Sequence, residues 1–543
     1  MSMFGDYKAY RKYLPDYTEW KTNRDVVEAK REEYLRKNPD KINKEDILRS
    51  KAILRAIDIM DEYSQKRAED MEVATETVVS SGLELASYLG MGIAALLVFA
   101  TPLKKVLLKK LEAHKDKASI IMGVGSALAG SLVATIAAFP LFAWAAKTEV
   151  KASRKGRFEA MRKDLKDPRI FAVLNNDQEE QLKANLESLT IDKKSLKNSR
   201  KFKDHLNTFK EMVKDSPEYI NQKADFETQL AKDEIYWEKE LTPSEIEKAK
   251  KNQQLLTKLV EKIDIASQDY AENAELATSA ITSTLFGLGS LFALGYEKIA
   301  TKLSLQKTSA PAILGFSLMI FASIFSAGIQ KQAARVGRFK IKQELMKHPE
   351  QLVYVPDEKT GEITDIEVKP QEKLKMFKFI KNMYKNNKEF NKWKKTEGLK
   401  EKNHIKAMEG IELTEEQLKD AKSLQHSTFK TFNKVDESSQ KYSESVEALG
   451  QSIQYPLTSI LAAVGILLGG KHLTNMVGAK SSKNMLSSMS KYISIIFLTL
   501  LPSIGINAYL TKEQKKASRV ADMLAINELQ DYRHFADFSK YSK

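Results

Sequence analysis

Cysteine is absent from the 543 residues. That excludes a disulfide framework, thiolate zinc sites, iron–sulfur clusters and a cysteine nucleophile. Histidine is scarce: His114, His205, His348, His404, His426, His472 and His534 are the full set, and no two stand at metal-ligand spacing. Neither a His-Glu-x-x-His zinc helix nor a Gly-x-Ser-x-Gly nucleophile elbow occurs. The nearest approach to a phosphate loop is Gly465-Ile466-Leu467-Leu468-Gly469-Gly470-Lys471. There His472 stands where Ser or Thr would hold magnesium, and an apolar helical run replaces the required strand. Met1–Trp20 is polar and aromatic, not a basic-then-apolar leader, and no Asn-x-Ser/Thr acceptor is found. These absences point to a non-enzyme that needs no metal or cofactor.

Charge is plentiful, at 29% of residues with a net +15, yet it is missing from six windows. These are Leu85–Leu103, Ala118–Ala146, Leu276–Tyr296, Thr308–Gln330, Ala448–Gly470 and Tyr492–Thr511. A helix needs roughly 20 mostly apolar residues to cross a hydrocarbon core of about 30 Å, so the windows read as six membrane spans. Small residues within them, Gly90, Gly92, Gly123, Gly287, Gly289, Gly465 and Gly469, suit close helix packing in lipid. No window carries an intramembrane acid or base, which counts against ion-coupled transport.

Four landmarks recur three times in one order. An aromatic leader places Tyr17, Tyr219 and Phe390 at intervals of 202 and 171. Helix starts follow at Asn43-Lys44-Glu45, Thr242-Pro243-Ser244-Glu245 and Thr414-Glu415-Glu416; an N-cap side chain with acids or Pro in the first turn satisfies orphan N–H groups. Ser-Gln pairs end at Gln65, Gln268 and Gln440, at intervals of 203 and 172. Last come the runs Ala152–Phe158, Ala333–Phe339 and Ala517–Met523, containing Arg154, Arg157, Arg335, Arg338 and Arg519. Shared order and offsets imply a triplication.

The expected fold is therefore all-α and polytopic: six transmembrane helices forming three repeated helical hairpins with long charged extramembrane arms. Unit 1 is 1–174 (spans about 85–103 and 118–146), and unit 2 is 200–355 (spans about 276–296 and 308–330). Unit 3 is 374–543 (spans about 448–470 and 492–511). A charged linker fills 175–199. A second, 356–373, carries a possible β-hairpin between Val353-Tyr354-Val355 and Ile363–Val368. Tandem two-span units are similar in arrangement to the mitochondrial carriers. Their Pro-x-Asp/Glu-x-x-Lys/Arg motif is missing, however, the first window ending Pro102-Leu103-Lys104-Lys105, so the likeness is one of arrangement alone.

Six crossings put both termini on one side, most simply the cytoplasmic one. Within each hairpin an acidic arm lies beside a basic arm, so the five arginines above are expected to meet acidic arms or anionic lipid headgroups. Positive charge spread over span ends, not gathered in one reader, excludes nucleic acid as partner. The functional expectation is a membrane-organising or membrane-scaffold protein that binds lipids and, through its arms, protein partners; an oligomer is compatible with it. The alternative is a channel or non-coupled transporter with a path along the pseudo-threefold axis. The aromatic leader Phe4, Tyr7, Tyr10, Tyr13, Tyr17, Trp20 marks one helix face, with Pro15 expected to break or restart the helix.

Overall fold

A computed structural model describes residues 3–64, 152–188, 217–231, 238–270, 332–356, 385–393, 404–435 and 482–538, with isolated positions between. These residues are helical, and no strand occurs among them. In chain order the helices are α1 (Met3–Lys37), α2 (44–64), α3 (152–163), α4 (Asn176–Ser188) and α5 (Pro217–Ala231). Then come α6 (243–270), α7 (332–347), α8 (385–393), α9 (His404–Glu409), α10 (415–435) and α11 (Ser482–Glu528).

The three long helices α2, α6 and α10 begin where side-chain caps dictate. The Asn43 side-chain oxygen accepts from the Glu45 N–H at 2.9 Å. Thr242 and Glu245 form a reciprocal capping box, Glu245 N–H donating to Thr242 Oγ1 at 3.3 Å and Thr242 N–H to Glu245 Oε2 at 2.9 Å. Thr414 and Gln417 repeat the exchange at 3.1 and 3.0 Å. Behind these caps lies one apolar core. It takes Ile53, Leu54, Ile57 and Met60 from α2, Leu255, Leu256, Leu259 and Ile263 from α6, and Leu424, Phe429, Phe432 and Val435 from α10. Each such side chain contributes about 1.5–3 kcal/mol on full burial.

Against this core the helices carrying the basic runs approach closely. A Cβ added at Gly156 of α3 would lie 2.5 Å from the Tyr63 carbonyl oxygen of α2. One added at Gly337 of α7 would lie 2.5 Å from the Ala266 carbonyl oxygen of α6. The leader α1 lies on α11, with Tyr10 and Tyr17 buried against Val520, Ala521 and Met523. It runs unbroken through Pro15, contrary to the sequence expectation. A proline removes one intrahelical bond, and the packing on both sides of it holds the helix together: the Tyr10 hydroxyl donates to Glu513 Oε2 at 2.8 Å on one side, and Tyr17 is buried on the other.

The membrane architecture needs correction. Among the described residues no helix is long and apolar enough to cross a membrane. The window 492–511 lies within α11, where Thr499, Ser503, Asn507 and Thr511 recur every four residues and Pro502 and Gly505 further dilute the apolar run. A lack of charge alone does not make a run apolar enough to span. The polytopic fold class, the integral-membrane location and the inference of cytoplasmic termini from parity lose their support together. The other five windows, with Gly90, Gly92, Gly123, Gly287, Gly289, Gly465 and Gly469, lie outside the described residues.

The first arm of the expected β-hairpin also differs. Val353 is extended, and residues 353–355 pair with no strand among the described residues. Val353 and Val355 are buried against Leu35, and the backbone is satisfied by side chains instead. Tyr354 N–H donates to Asp46 Oδ2 at 3.2 Å and Val355 N–H to Gln254 Oε1 at 2.8 Å. The second arm lies outside the described residues.

Candidate functional site

Two polar layers cross the bundle of α2, α6 and α10. The first lies one turn inside the capped ends. Asp420 of α10 receives both guanidinium nitrogens of Arg49 from α2, Nη1 at 3.1 Å and Nη2 at 2.8 Å. Lys248 of α6 reaches the same carboxylate at 2.5 Å. Arg49 also donates to Asn252 Oδ1 of α6 at 3.1 Å. One carboxylate and one guanidinium thus join all three helices, and the Arg49 side chain is only 4% exposed. Burial pushes the Asp420 carboxyl up, but the Arg49 and Lys248 charges outweigh it and hold it below the usual carboxylate range. Beside it Lys251 pairs with Asp46 at 2.9 Å; there burial outweighs the lysine and raises the Asp46 carboxyl.

The second layer gathers the basic runs. Arg338 Nη1 of α7 lies 3.3 Å from Asp61 Oδ2 of α2. Arg157 of α3 is held near Asp61 and Asp264, with its guanidinium 5.9 Å over the Phe432 ring of α10. Burial lowers the Arg157 guanidinium and raises the Asp264 carboxyl, the latter against the pull of Arg157 and Arg338. Arg519 of α11 donates to Gln268 Oε1 at 3.0 Å and Asp269 Oδ1 at 2.5 Å on α6. Arg154 and Arg335 sit half-buried on α3 and α7. Acid–base pairs occur inside one unit, Arg67 with Glu159 at 2.8 Å and Lys434 with Glu528 at 2.6 Å, and also between helices of different units. Arg338 and Lys342 of α7 reach Asp61 and Asp58 of α2, and Arg519 of α11 reaches α6.

The leader adds a third tie. Glu28 of α1 meets Lys258 of α6 at 3.0 Å and Arg31 at 2.7 Å. Burial pushes the Glu28 carboxyl up, yet Lys258 and Arg31 together bring it down to about 2. Its folded pKa lies below the unfolded value of 4.5, so its stabilisation is complete above pH 4.5 and fades as pH falls toward 2. Glu28→Gln is therefore expected to unfold at lower urea than the parent at pH 7, with the difference vanishing by pH 2. A difference that persists unchanged at that pH would contradict the ion pair.

Among the described residues no group of His, Asp and Glu could hold a metal ion. His404 begins α9 at the edge of the core; burial, aided by the Arg55 and Lys342 charges, pushes its imidazole down to about 3, so it is neutral at pH 7. A recess between α1, α6 and α11 is lined by Tyr17, Trp20, Glu261, Asp264, Arg519 and Asp522, and Glu261 in it is taken by Arg24 at 2.6 Å. The described ion pairs fix helices against one another through charge.

Arg49, Lys248, Asn252 and Asp420 went unmarked in the sequence, where a lone charge on a helix reads as solvated. The available signal was the repeat offset. Arg49 and Asn252 are 203 apart, as are Asp61 and Asp264, and Lys248 and Asp420 are 172 apart. Arg157, Arg338 and Asp522 take the same place in the three basic runs. The chain matches no protein-family model, no curated protein and no solved structure, so the site stands on this geometry alone.

Proposed function

We propose that this chain is a non-catalytic helical scaffold made of three like units, 1–174, 200–355 and 374–543, that holds protein partners on its charged arms. The carrying observation is the Arg49–Asn252–Asp420 junction, which brings together one long helix from each unit. A buried bidentate pair is weak evidence of stability but serves well to fix register. It also fills the bundle axis at that level with bonded side chains, which favours a scaffold over a path for solutes. The net +15 leaves the arms suited to anionic partners, acidic protein surfaces or lipid headgroups at a membrane surface.

The test is affinity purification of the full-length chain from its native cells, followed by cross-linking of what remains bound. A scaffold gives one or a few proteins in fixed ratio, cross-linked to arm lysines. Recovery of the chain alone, or bound only to nucleic acid, would count against it.

A further inference from the structure

The start of α1 and the middle of α11 meet at a surface outside the polar layers. On α11, residues 491, 494, 498, 502, 505, 509 and 512 are exposed, three or four positions apart, so they share one helix face. Leu498 is 62% exposed and Tyr509 57%, the two most open large apolar side chains among the described residues. Ile495 and Ile506 are half-buried at the edges of the face. A Cβ added at Gly505 meets nothing within 4 Å, so the surface is open there too. Lys491 and Lys512 bound the face, and no charge stands between them. The uncharged strip from Ser494 to Tyr509 is about 22 Å long at the rise of an α-helix.

Cations gather at one end of this strip. Lys8, Arg11 and Lys12 of α1 lie on one helix face and are exposed, Arg11 with 49% of its side chain open to water. Tyr509 lies within electrostatic reach of Arg11, which sets that face of α1 beside the end of the strip. Lys512 adds a fourth positive charge. No acid stands between Asp6 and Asp16 on α1. The first acid after the strip, Glu513, is turned inward. Its side chain is 6% exposed and takes the Tyr10 hydroxyl at 2.8 Å, Arg11 at 3.3 Å and Lys516 at 2.7 Å. The negative charge thus lies beneath the patch and the lysines lie on it.

An apolar strip that ends in a tyrosine among cations is how a helix rests on a bilayer. Its apolar side chains reach the acyl boundary, the tyrosine ring sits at headgroup level, and Lys and Arg meet the anionic headgroups. Such docking needs no crossing, for which α11 is not apolar enough. A second copy fits worse. Both ends of the face are lysine, so pairing it with itself in either direction sets lysine against lysine. An acidic protein surface answers the lysines and leaves the uncharged strip unexplained.

We propose that this face docks the protein on the surface of an anionic lipid bilayer, Leu498, Pro502, Ile506 and Tyr509 entering the acyl boundary and Lys8, Arg11, Lys12 and Lys512 meeting the headgroups. This narrows the anionic partner of the scaffold reading, on which it rests, to lipid. The test is flotation of the full chain with vesicles of phosphatidylcholine, alone or mixed with phosphatidylserine. Binding to the mixed vesicles is expected to exceed that to phosphatidylcholine alone by about tenfold or more. A well-placed lysine is worth about fivefold, so Lys8→Glu/Lys12→Glu/Lys512→Glu is expected to bind the mixed vesicles about a hundredfold more weakly. Leu498→Ser/Tyr509→Ser is expected to lose about tenfold, with an unchanged thermal midpoint because both side chains are already exposed. Lys44→Glu/Lys419→Glu/Lys422→Glu makes the same change in net charge at exposed positions near the capped starts of α2 and α10. It is expected to stay within about threefold of the parent, since charges far from the bilayer are screened. A parent that does not float with the mixed vesicles, or a capped-end variant that loses as much as the α1 and α11 lysine variant, overturns the proposal. A parent that binds polyglutamate through Lys8, Lys12 and Lys512 but ignores the vesicles overturns the lipid assignment and leaves the scaffold reading standing.

Discussion

Replacing Asp420 by Ala is expected to destabilise the protein by about 3–5 kcal/mol. The loss is large because of what remains. The Arg49 side chain is 4% exposed, and its Nη1 and Nη2 both rest on this carboxylate. Without Asp420 the guanidinium keeps only Asn252 and a long contact to Glu45 at 3.5 Å, neither of which offsets the desolvation of a full charge. Lys248 suffers less, since its side chain is 40% exposed and recovers water. Removing both charges should behave differently: Arg49→Met/Asp420→Leu leaves no orphan and is expected near the parent or above it. Urea unfolding at pH 7 reads both variants. An Asp420→Ala midpoint close to the parent's would show that the carboxylate is not buried with its partners.

The second large effect is expected at the glycines of the basic runs. Gly156→Ala places a Cβ 2.5 Å from the Tyr63 carbonyl oxygen and 2.8 Å from the Ser64 Cα, both backbone atoms of α2. No rotamer change relieves such a contact, so α3 must back away and loosen its packing. A cost of about 1–3 kcal/mol or more follows, and Gly337→Ala should match it, its Cβ meeting the Ala266 carbonyl oxygen at 2.5 Å. Gly505 of α11 supplies the control. Nothing lies within 4 Å of its added Cβ, and helix propensity alone predicts that Gly505→Ala is neutral or stabilising by up to about 1 kcal/mol. Thermal unfolding of the three variants checks the contrast; equal shifts would reject close approach as the reason for these glycines.

Local chemistry was legible in the sequence where a few neighbouring residues decide the outcome. Asn43, Thr242 and Thr414 announced three helix starts because capping is a matter of one to three residues. The offsets 203 and 172 relate Ser50, Gln253 and Gln425, each of which donates to a backbone carbonyl of another segment. Longer-range facts were hidden. Sequence proximity matches the basic and acidic arms inside one hairpin; the structure has such pairs, Arg67 with Glu159 and Lys434 with Glu528, and adds Arg338 with Asp61 and Arg519 with Asp269 across segments. Pro15 was read as a helix stop because propensity is local, whereas tertiary contacts on both sides of it carry α1 onward. The run 492–511 reads as a span from its lack of charge, although Pro502, Ser503, Gly505 and Asn507 interrupt its apolar residues. The residues neighbouring Arg49 and Asp420 do not distinguish them from solvated surface charges, since burial of a charge depends on partners 371 positions away.

That separation makes one measurement decisive. A double-mutant cycle between Arg49→Ala and Asp420→Ala, read by urea unfolding of the full chain, isolates the energy with which the first and third long helices hold each other. A closed three-unit bundle predicts that the two losses fall short of adding by about 1–3 kcal/mol, because the second removal no longer strands a partner. Strictly additive losses would mean that the two side chains do not meet, and that the units are not closed around a shared axis.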